Sequence, residues 1–298
     1  RDSVASRGLG DVYKRQNKGI GFATVENLLQ NHPDTFLILG SRDEKRGDEA
    51  LGLLTSKEPK WADRLMMLAI DVSSDESVTM AAETVASSFE TEEKPLYGII
   101  NNAGIGSSSI GLEPTLQVNT WGIHRVCEAF IPLLEVSGRI VNVTSAAGPN
   151  FVEAADDMTR NMLTDPEVHW DAVEEYMNRC ISESKDSAST TSVLRNAYGL
   201  SKACANALIL ILARENPGLT INACTPGFIE TDMTRPFAES QGKSASELGM
   251  KTPEQGSSAS VFLMMGEVPG SGMYFGSDCL RSPLDRYRSP GDPPYEGD

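Results

Sequence analysis

Short, continuous apolar runs alternate along this chain with longer amphipathic stretches, and that alternation restricts the fold more than any other feature. Phe36–Gly40, Leu65–Ile70, Tyr97–Asn101, Arg139–Thr144, Thr220–Cys224 and Met273–Phe275 read as strands. Phe22–Gln30, Asp43–Ser56, Ser74–Phe89, Thr115–Leu134, Ala197–Arg214 and Pro253–Met265 read as helices. Strands that are apolar throughout are buried on both faces, and helices between them supply the cover. The expected architecture is α/β: a Rossmann-like, doubly wound parallel sheet in three layers. No internal repeat of fixed period competes with it.

Three segments interrupt the alternation. Residues 150–195 are polar, acidic and poor in strands, with helix-like pieces at Ala154–Leu163 and Asp171–Ser184, and read as a helical insertion. The tail 282–298 is rich in Pro, Gly and charge and is expected to be disordered. Residues 1–16 hold no apolar run fit for a central strand, although Asn17-Lys18-Gly19-Ile20-Gly21 opens a good helix. They read as a foreign or misassembled segment that replaces the native first strand or leaves it missing. Residues 17–281 then form one domain.

Composition narrows the partners. With 26 Lys+Arg against 42 Asp+Glu the formal charge is −16, a field that repels nucleic acid. No apolar run is long enough to span a membrane, and Ala205–Ala213 reads as a buried helix. The N-terminus lacks a secretory pattern, so the expectation is cytoplasmic. The five cysteines, Cys127, Cys180, Cys204, Cys224 and Cys279, form no metal or redox motif and suit a reducing compartment. His32, His124 and His169 are scattered, and no metal site is expected.

Several residues fall where chemistry occurs in open α/β sheets, at strand ends. Gly19-Ile20-Gly21 starts a helix, whose free N–H groups and positive end suit a phosphate. Arg42 follows a strand end where an acidic residue would favour NAD; with Lys18 it suits a 2′-phosphate, or is a solvated cation. Asp71 either accepts from an adenine amino group or caps a turn. Asn101-Asn102-Ala103-Gly104 ends a strand with small residues that admit a ligand, or is an ordinary turn. Ser145 ends another strand, as a carbonyl ligand or a helix cap. Tyr198 and Lys202, four apart, share a helix face, where an ammonium would lower the phenol pKa. Trp121, Met233 and Phe237 either line a substrate pocket or pack.

Taken in order, these features resemble a short-chain dehydrogenase/reductase from Asn17 to about Phe275: the glycine turn, Asp71, Asn-Asn-Ala-Gly, Asn119, Ser145, Tyr198 with Lys202, and Pro226-Gly227 followed by Thr231. The long stretch between Ser145 and Tyr198, the Asn-Lys-Gly-Ile-Gly turn and the Ser-Arg-Asp strand end are similar to the monomeric NADPH-dependent carbonyl reductases and their plant relatives. The resemblance implies reduction of a ketone or aldehyde by a monomer whose insertion covers the face other members use to oligomerise. It implies catalysis by Asn119, Ser145, Tyr198 and Lys202. Asn119 would help hold a water that reconnects Lys202 to solvent. NADPH would be bound by Asn17, Lys18, Gly19, Ile20, Gly21, Arg42, Asp71, Val72, Asn102, Ala103, Gly104, Tyr198, Lys202, Pro226, Gly227 and Thr231. Alternatives are an NADP(H)-binding protein without turnover and an NAD-dependent alcohol dehydrogenase. One departure stands out: the family's turn opens with Thr-Gly, where this chain has Lys14 and Arg15.

Overall fold

The structure is a computed structural model that describes the backbone of residues 2–7 and, in full, residues 19–89, 93–106, 110–185 and 196–297. One sheet runs through it in the order β3-β2-β1-β4-β5-β6-β7-β8. The strands are β1 (Asp2–Arg7), β2 (Thr35–Ser41), β3 (Leu65–Ala69), β4 (Leu96–Asn101), β5 (Leu134–Val143), β6 (Thr220–Cys224), β7 (Met273–Phe275) and β8 (Arg281–Ser282). All pairings are parallel except that of β8 on β7. Of the helices, α1 (Ile20–Asn31), α2 (Glu44–Lys57), α3 (Asp75–Ser88), α4 (Leu112–Asn119) and α5 (Trp121–Phe130) precede β5. Between β5 and β6 come α6 (Ala147–Ala154), α7 (Asp157–Thr164), α8 (Trp170–Ser184) and α9 (Ala197–Glu215). The last two are α10 (Arg235–Ser240) and α11 (Pro253–Met265).

Two apolar layers cover the sheet. Val25, Leu28 and Leu29 of α1, Leu54 of α2 and Leu263 of α11 pack with Leu37, Leu39, Ile100 and Val141 on one face. Val78 and Val85 of α3, Ile123 and Phe130 of α5 and Leu208 and Leu212 of α9 pack with Ile38, Ile99, Ile140 and Ile221 on the other. Alternate strand residues thus feed opposite layers, the consequence of the two-residue period of a pleated strand. Helix α9 also buries its outer side. Leu200, Ala203, Cys204, Ala207 and Ile211 meet Phe151, Leu163, Val173 and Met177 of the insertion. A helix apolar all round is a buried one, which accounts for the run Ala205–Ala213.

Four expectations need correction. The first-strand slot is not missing: Asp2–Arg7 fills it, paired with Thr35–Gly40 on one side and Gly98–Ile100 on the other. Ladder bonds are made by the backbone, so a segment without an apolar run can still occupy a central position. Secondly, the tail is folded rather than disordered. Arg288 is buried and ion-paired with Asp278, and the Tyr295 N–H donates to the Arg281 carbonyl. Thirdly, the helix expected over Thr115–Leu134 breaks at Thr120, whose hydroxyl donates to the Ser201 carbonyl at 2.8 Å. Lastly, the helix expected over Ala154–Leu163 is broken: Ala154 is the last residue of α6, and α7 begins only at Asp157. Asp156 caps the second by accepting from the Thr159 N–H at 2.9 Å.

Among the described residues no helix is long and apolar enough to cross a membrane, and no group of His, Cys, Asp or Glu is arranged to hold a metal ion.

Candidate active site

The strand ends β4, β5 and β6 and the first two turns of α9 bring one group of residues together. Ser145 follows β5 and its Oγ accepts from the Ala147 N–H at 3.2 Å, so the helix-cap reading holds locally. Its hydroxyl also lies close enough to the Tyr198 phenol to favour the phenolate. Asn196 starts α9 by accepting from the Gly199 N–H at 2.9 Å, which aims Tyr198 and Lys202 along one face. The Lys202 ammonium donates to the Val143 carbonyl at 3.1 Å and lies 5.7 Å from the centre of the Tyr198 ring.

The electrostatics differ from the expectation. Burial pushes the Tyr198 phenol above its ordinary value, opposed by the nearby Ser145 hydroxyl. Burial also pulls Lys202 down to about 8, with Cys224 opposing. A desolvated ammonium is itself costly, so without a bound ligand Lys202 does not depress the phenol as the sequence pattern suggested. The phenol is held protonated, which is the form that donates.

Asn119, fully buried on α4, serves the loop after β4. Its Oδ1 accepts from the Ile105 N–H at 2.9 Å, and its Nδ2 donates to the Ile105 carbonyl at 2.8 Å and to Ser201 Oγ at 3.0 Å. Both amide protons are therefore taken by protein. The same loop shows why it is rich in glycine. A β-carbon on Gly104 would lie 3.4 Å from both Asn119 Oδ1 and Lys202 Nζ, and one on Gly106 only 2.8 Å from the Tyr198 ring. Ile105, Gly106 and Ser201 were not singled out from the sequence. The pattern Ala-Gly-Ile-Gly was the available signal for the first two, whereas Ser201 had none.

The other expected residues lie at neighbouring strand ends. Among the described residues, helix α1 begins after Gly19 with no side-chain cap, and a β-carbon on Gly19 would meet nothing within 4 Å. An uncapped helix start with open space beside it suits an anion, so Gly19, Ile20 and Gly21 fit a dinucleotide's phosphates. Asn17 and Lys18, with Lys14 and Arg15 before them, lie outside the described residues. Arg42 is exposed beyond β2, at the edge where a ribose phosphate would lie. The Asp71 carboxylate caps its turn, accepting from the Ser73 N–H at 2.9 Å and the Ser73 hydroxyl at 2.6 Å. Val72 is buried against Gly122. Asn102 and Ala103 are half-buried beside Gly104.

Beyond β6, Gly227 takes a positive φ of 92°, open to glycine at little cost, and turns the chain into residues 228–251. Thr231 donates its N–H to Thr234 Oγ1 at 3.0 Å, and Asp232 pairs with Arg235 at 2.5 Å. These bonds form a separate turn before α10 starts at Arg235. Met233 comes close to the active-site loop: its Sδ lies 3.1 Å from where a Gly106 β-carbon would be. Trp121 belongs elsewhere. Its Nε1 donates to Glu174 at 2.7 Å in a cleft of about 540 Å³ between α4, α5 and α8, beside His124 stacked on Trp170.

Comparison with known proteins agrees with this geometry. The chain is 30% identical to (+)-neomenthol dehydrogenase of Arabidopsis thaliana, over 87% of this chain and 93% of that one. It is a member of the short-chain dehydrogenase/reductase family. The model of the short chain dehydrogenase family matches residues 16–155. Carbonyl reductase (NADPH) 1 of Rattus norvegicus is 26% identical over 84% of this chain and 88% of its own length. The solved structure of salutaridine reductase from Papaver somniferum superposes with a TM-score of 0.72 at 23% identity, covering 92% of this chain and 99% of that one, and supports the fold. Family membership makes this chain an oxidoreductase of the short-chain type.

Proposed function

We infer that this short-chain reductase uses NADPH to convert a ketone or aldehyde to an alcohol. The observation that carries the reading is the cluster of Ser145, Tyr198 and Lys202, with the Lys202 ammonium held by the Val143 carbonyl 5.7 Å from the Tyr198 ring centre, at the strand edge where such folds bind ligands. Gly19, Ile20 and Gly21 would hold the pyrophosphate. Arg42 and Lys18 would hold the 2′-phosphate, and Asp71 and Val72 the adenine end. Asn102, Ala103 and Gly104 with Pro226, Gly227 and Thr231 would flank the nicotinamide half. When bound, NADPH supplies the hydride.

The chain's own groups then handle oxygen and proton. Ser145 donates a hydrogen bond to the substrate oxygen. Tyr198, kept protonated by burial, donates its proton to that oxygen as negative charge develops there. Lys202 stabilises the phenolate left behind, because a cation beside a phenolate favours the charged form. Preplaced donors of this kind supply most of the stabilisation in comparable sites. Asn119 fixes the Ile105 loop over α9, so its role at the site runs through the backbone it holds.

The (+)-neomenthol relative points to an apolar cyclic ketone such as menthone as the probe. The insertion helices pack on α4 and α9, which favours a monomer. Fluorescence titration with NADPH and turnover of menthone test the reading together. Tyr198→Phe should keep cofactor binding and lower kcat by about 10²–10⁴-fold. Undiminished turnover in that variant would remove Tyr198 from its role. Binding with no turnover of any carbonyl would leave a cofactor-binding protein without reductase activity.

A further inference from the structure

Residues 228–251 form a flap whose two feet are tied together. The Lys251 N–H donates to the Phe228 carbonyl at 2.8 Å, and the Glu230 N–H donates to the Lys251 carbonyl at 2.9 Å. The flap carries Phe228, Met233 and Phe237, with 42%, 40% and 51% of their surfaces exposed, an unusual concentration of large apolar side chains left open. Phe228 and Phe237 meet edge to face with centroids 6.1 Å apart. Met233 and Tyr198 both crowd Gly106, whose β-carbon, if present, would lie 3.1 Å from Met233 Sδ and 2.8 Å from the Tyr198 ring. The height of this flap therefore defines the space above the phenol.

One foot of the flap is also tied to the C-terminal strap. The Lys251 ammonium, at the foot of the flap, donates to Ser277 Oγ at 3.3 Å. Ser277 also presses on Gly227: a β-carbon there would lie 3.1 Å from both Ser277 Cβ and Oγ. Ser277 begins the C-terminal strap, and the strap is locked one residue later. Arg288 Nη2 pairs with Asp278, Nε donates to Ser282 Oγ at 3.0 Å, and Nη1 donates to the Asp292 carbonyl at 2.7 Å. The Arg281 and Arg286 guanidinium groups lie 5.3 and 5.6 Å from the Tyr295 ring centre and hold the end of the strap down. A guanidinium that uses three of its nitrogens on fixed partners orients what it binds.

We propose that the C-terminal strap sets the position of the flap over Tyr198, with Lys251 and Ser277 as the positioning pair and Arg288 as its lock. None of the three touches the reacting atoms. Through the flap they govern how well a bulky apolar ketone is held, while a small ketone, which does not reach Met233 or Phe237, is indifferent to them. The substrate part of this inference rests on the reductase reading; the mechanical part does not.

The test uses Lys251→Met, Ser277→Ala and the rescue variant Lys251→Arg in the full chain. Backbone amide exchange over residues 229–250 is measured without substrate, with KM and kcat for menthone and for cyclohexanone alongside. Lys251→Met and Ser277→Ala should speed flap exchange about 10-fold with the sheet unchanged, and Lys251→Arg should restore protection. KM for menthone should rise about 5–10-fold, with kcat and the cyclohexanone KM within about 2-fold of the unaltered protein. Wild-type exchange rates in both variants would overturn the proposal, as would a fall in kcat with KM unchanged. If the unaltered protein turns over neither ketone, the reductase reading fails, and the exchange result still decides whether the strap holds the flap.

Discussion

Gly106 lies close against Tyr198: a β-carbon on this residue would sit 2.8 Å from one ring carbon and 3.0 Å from the next. The loop after β4 thereby acts as a backing plate for the phenol, and Asn119 bolts it in place through both polar groups of Ile105. Gly106→Ala must move the ring or the loop, and either displaces the proton donor. We expect kcat to fall at least about 10²-fold, since a shift of about 1 Å at a reacting group has that effect. Gly52→Ala, exposed on α2 and far from the site, is the control, because its β-carbon would meet nothing within 4 Å. Its kcat should stay within about 3-fold. Steady-state kinetics on the two variants check the difference, and an undiminished kcat in Gly106→Ala would mean that the loop yields.

Lys202 gives a pH signature in the cofactor-free protein. Its folded value of about 8 lies below the ordinary 10.5, so between these values the unfolded chain holds a proton that the folded chain has released. Stability from this group therefore rises with pH across that window and is lost as pH falls through it. The difference in unfolding free energy between the unaltered protein and Lys202→Met should change by up to about 3 kcal/mol between pH 8 and 10.5. Taking the difference removes the opposing contribution of Cys204, whose thiol burial pushes up and which favours the folded state less as pH rises. Urea unfolding at several pH values measures it. A flat difference would show that Lys202 stays charged when buried.

Arg42, exposed past β2, is expected to select the 2′-phosphate. Arg42→Asp should weaken NADPH binding at least about 10-fold and improve NADH binding, since losing a charge-assisted contact to a phosphate costs about 1.5–3 kcal/mol. Titrations with both cofactors check this. An unchanged preference would assign selection to residues before Gly19.

Gly148 allows α6 to lie on α9. A β-carbon there would be 2.9 Å from the Asn206 amide nitrogen and 3.1 Å from the Lys202 backbone. Gly148→Ala should destabilise the protein by about 1–3 kcal/mol as an overpacking change. It should also reduce kcat, because the helix it displaces begins beside Ser145. Denaturant unfolding and turnover on the same variant separate these effects.

Much of the fold was legible because burial on both faces of a parallel strand leaves an unbroken apolar run. Thr220–Cys224, Pro253–Met265 and Met273–Phe275 fall where the pattern placed them. The segments that escaped were those held by polar bonds between distant residues. Thr120 breaks a helix through a bond to Ser201, and Arg288 folds an apparently disordered tail through Asp278. Neither partner is visible in a local window.

The site divides in the same way. Residue type and order alone singled out Ser145, Tyr198 and Lys202, which the structure brings together, because their chemistry and their places at strand ends or on one helix face are local properties of the chain. Tertiary structure decided the rest. It made Lys202 a buried, weakened cation rather than an activator of the phenol in the ligand-free state. It turned Asp71 toward its own turn, moved Trp121 to a different cleft, and joined Lys251 to Ser277. Each of these depends on which side chains share a dry, crowded space, and desolvation and contact arise only when separate elements pack together.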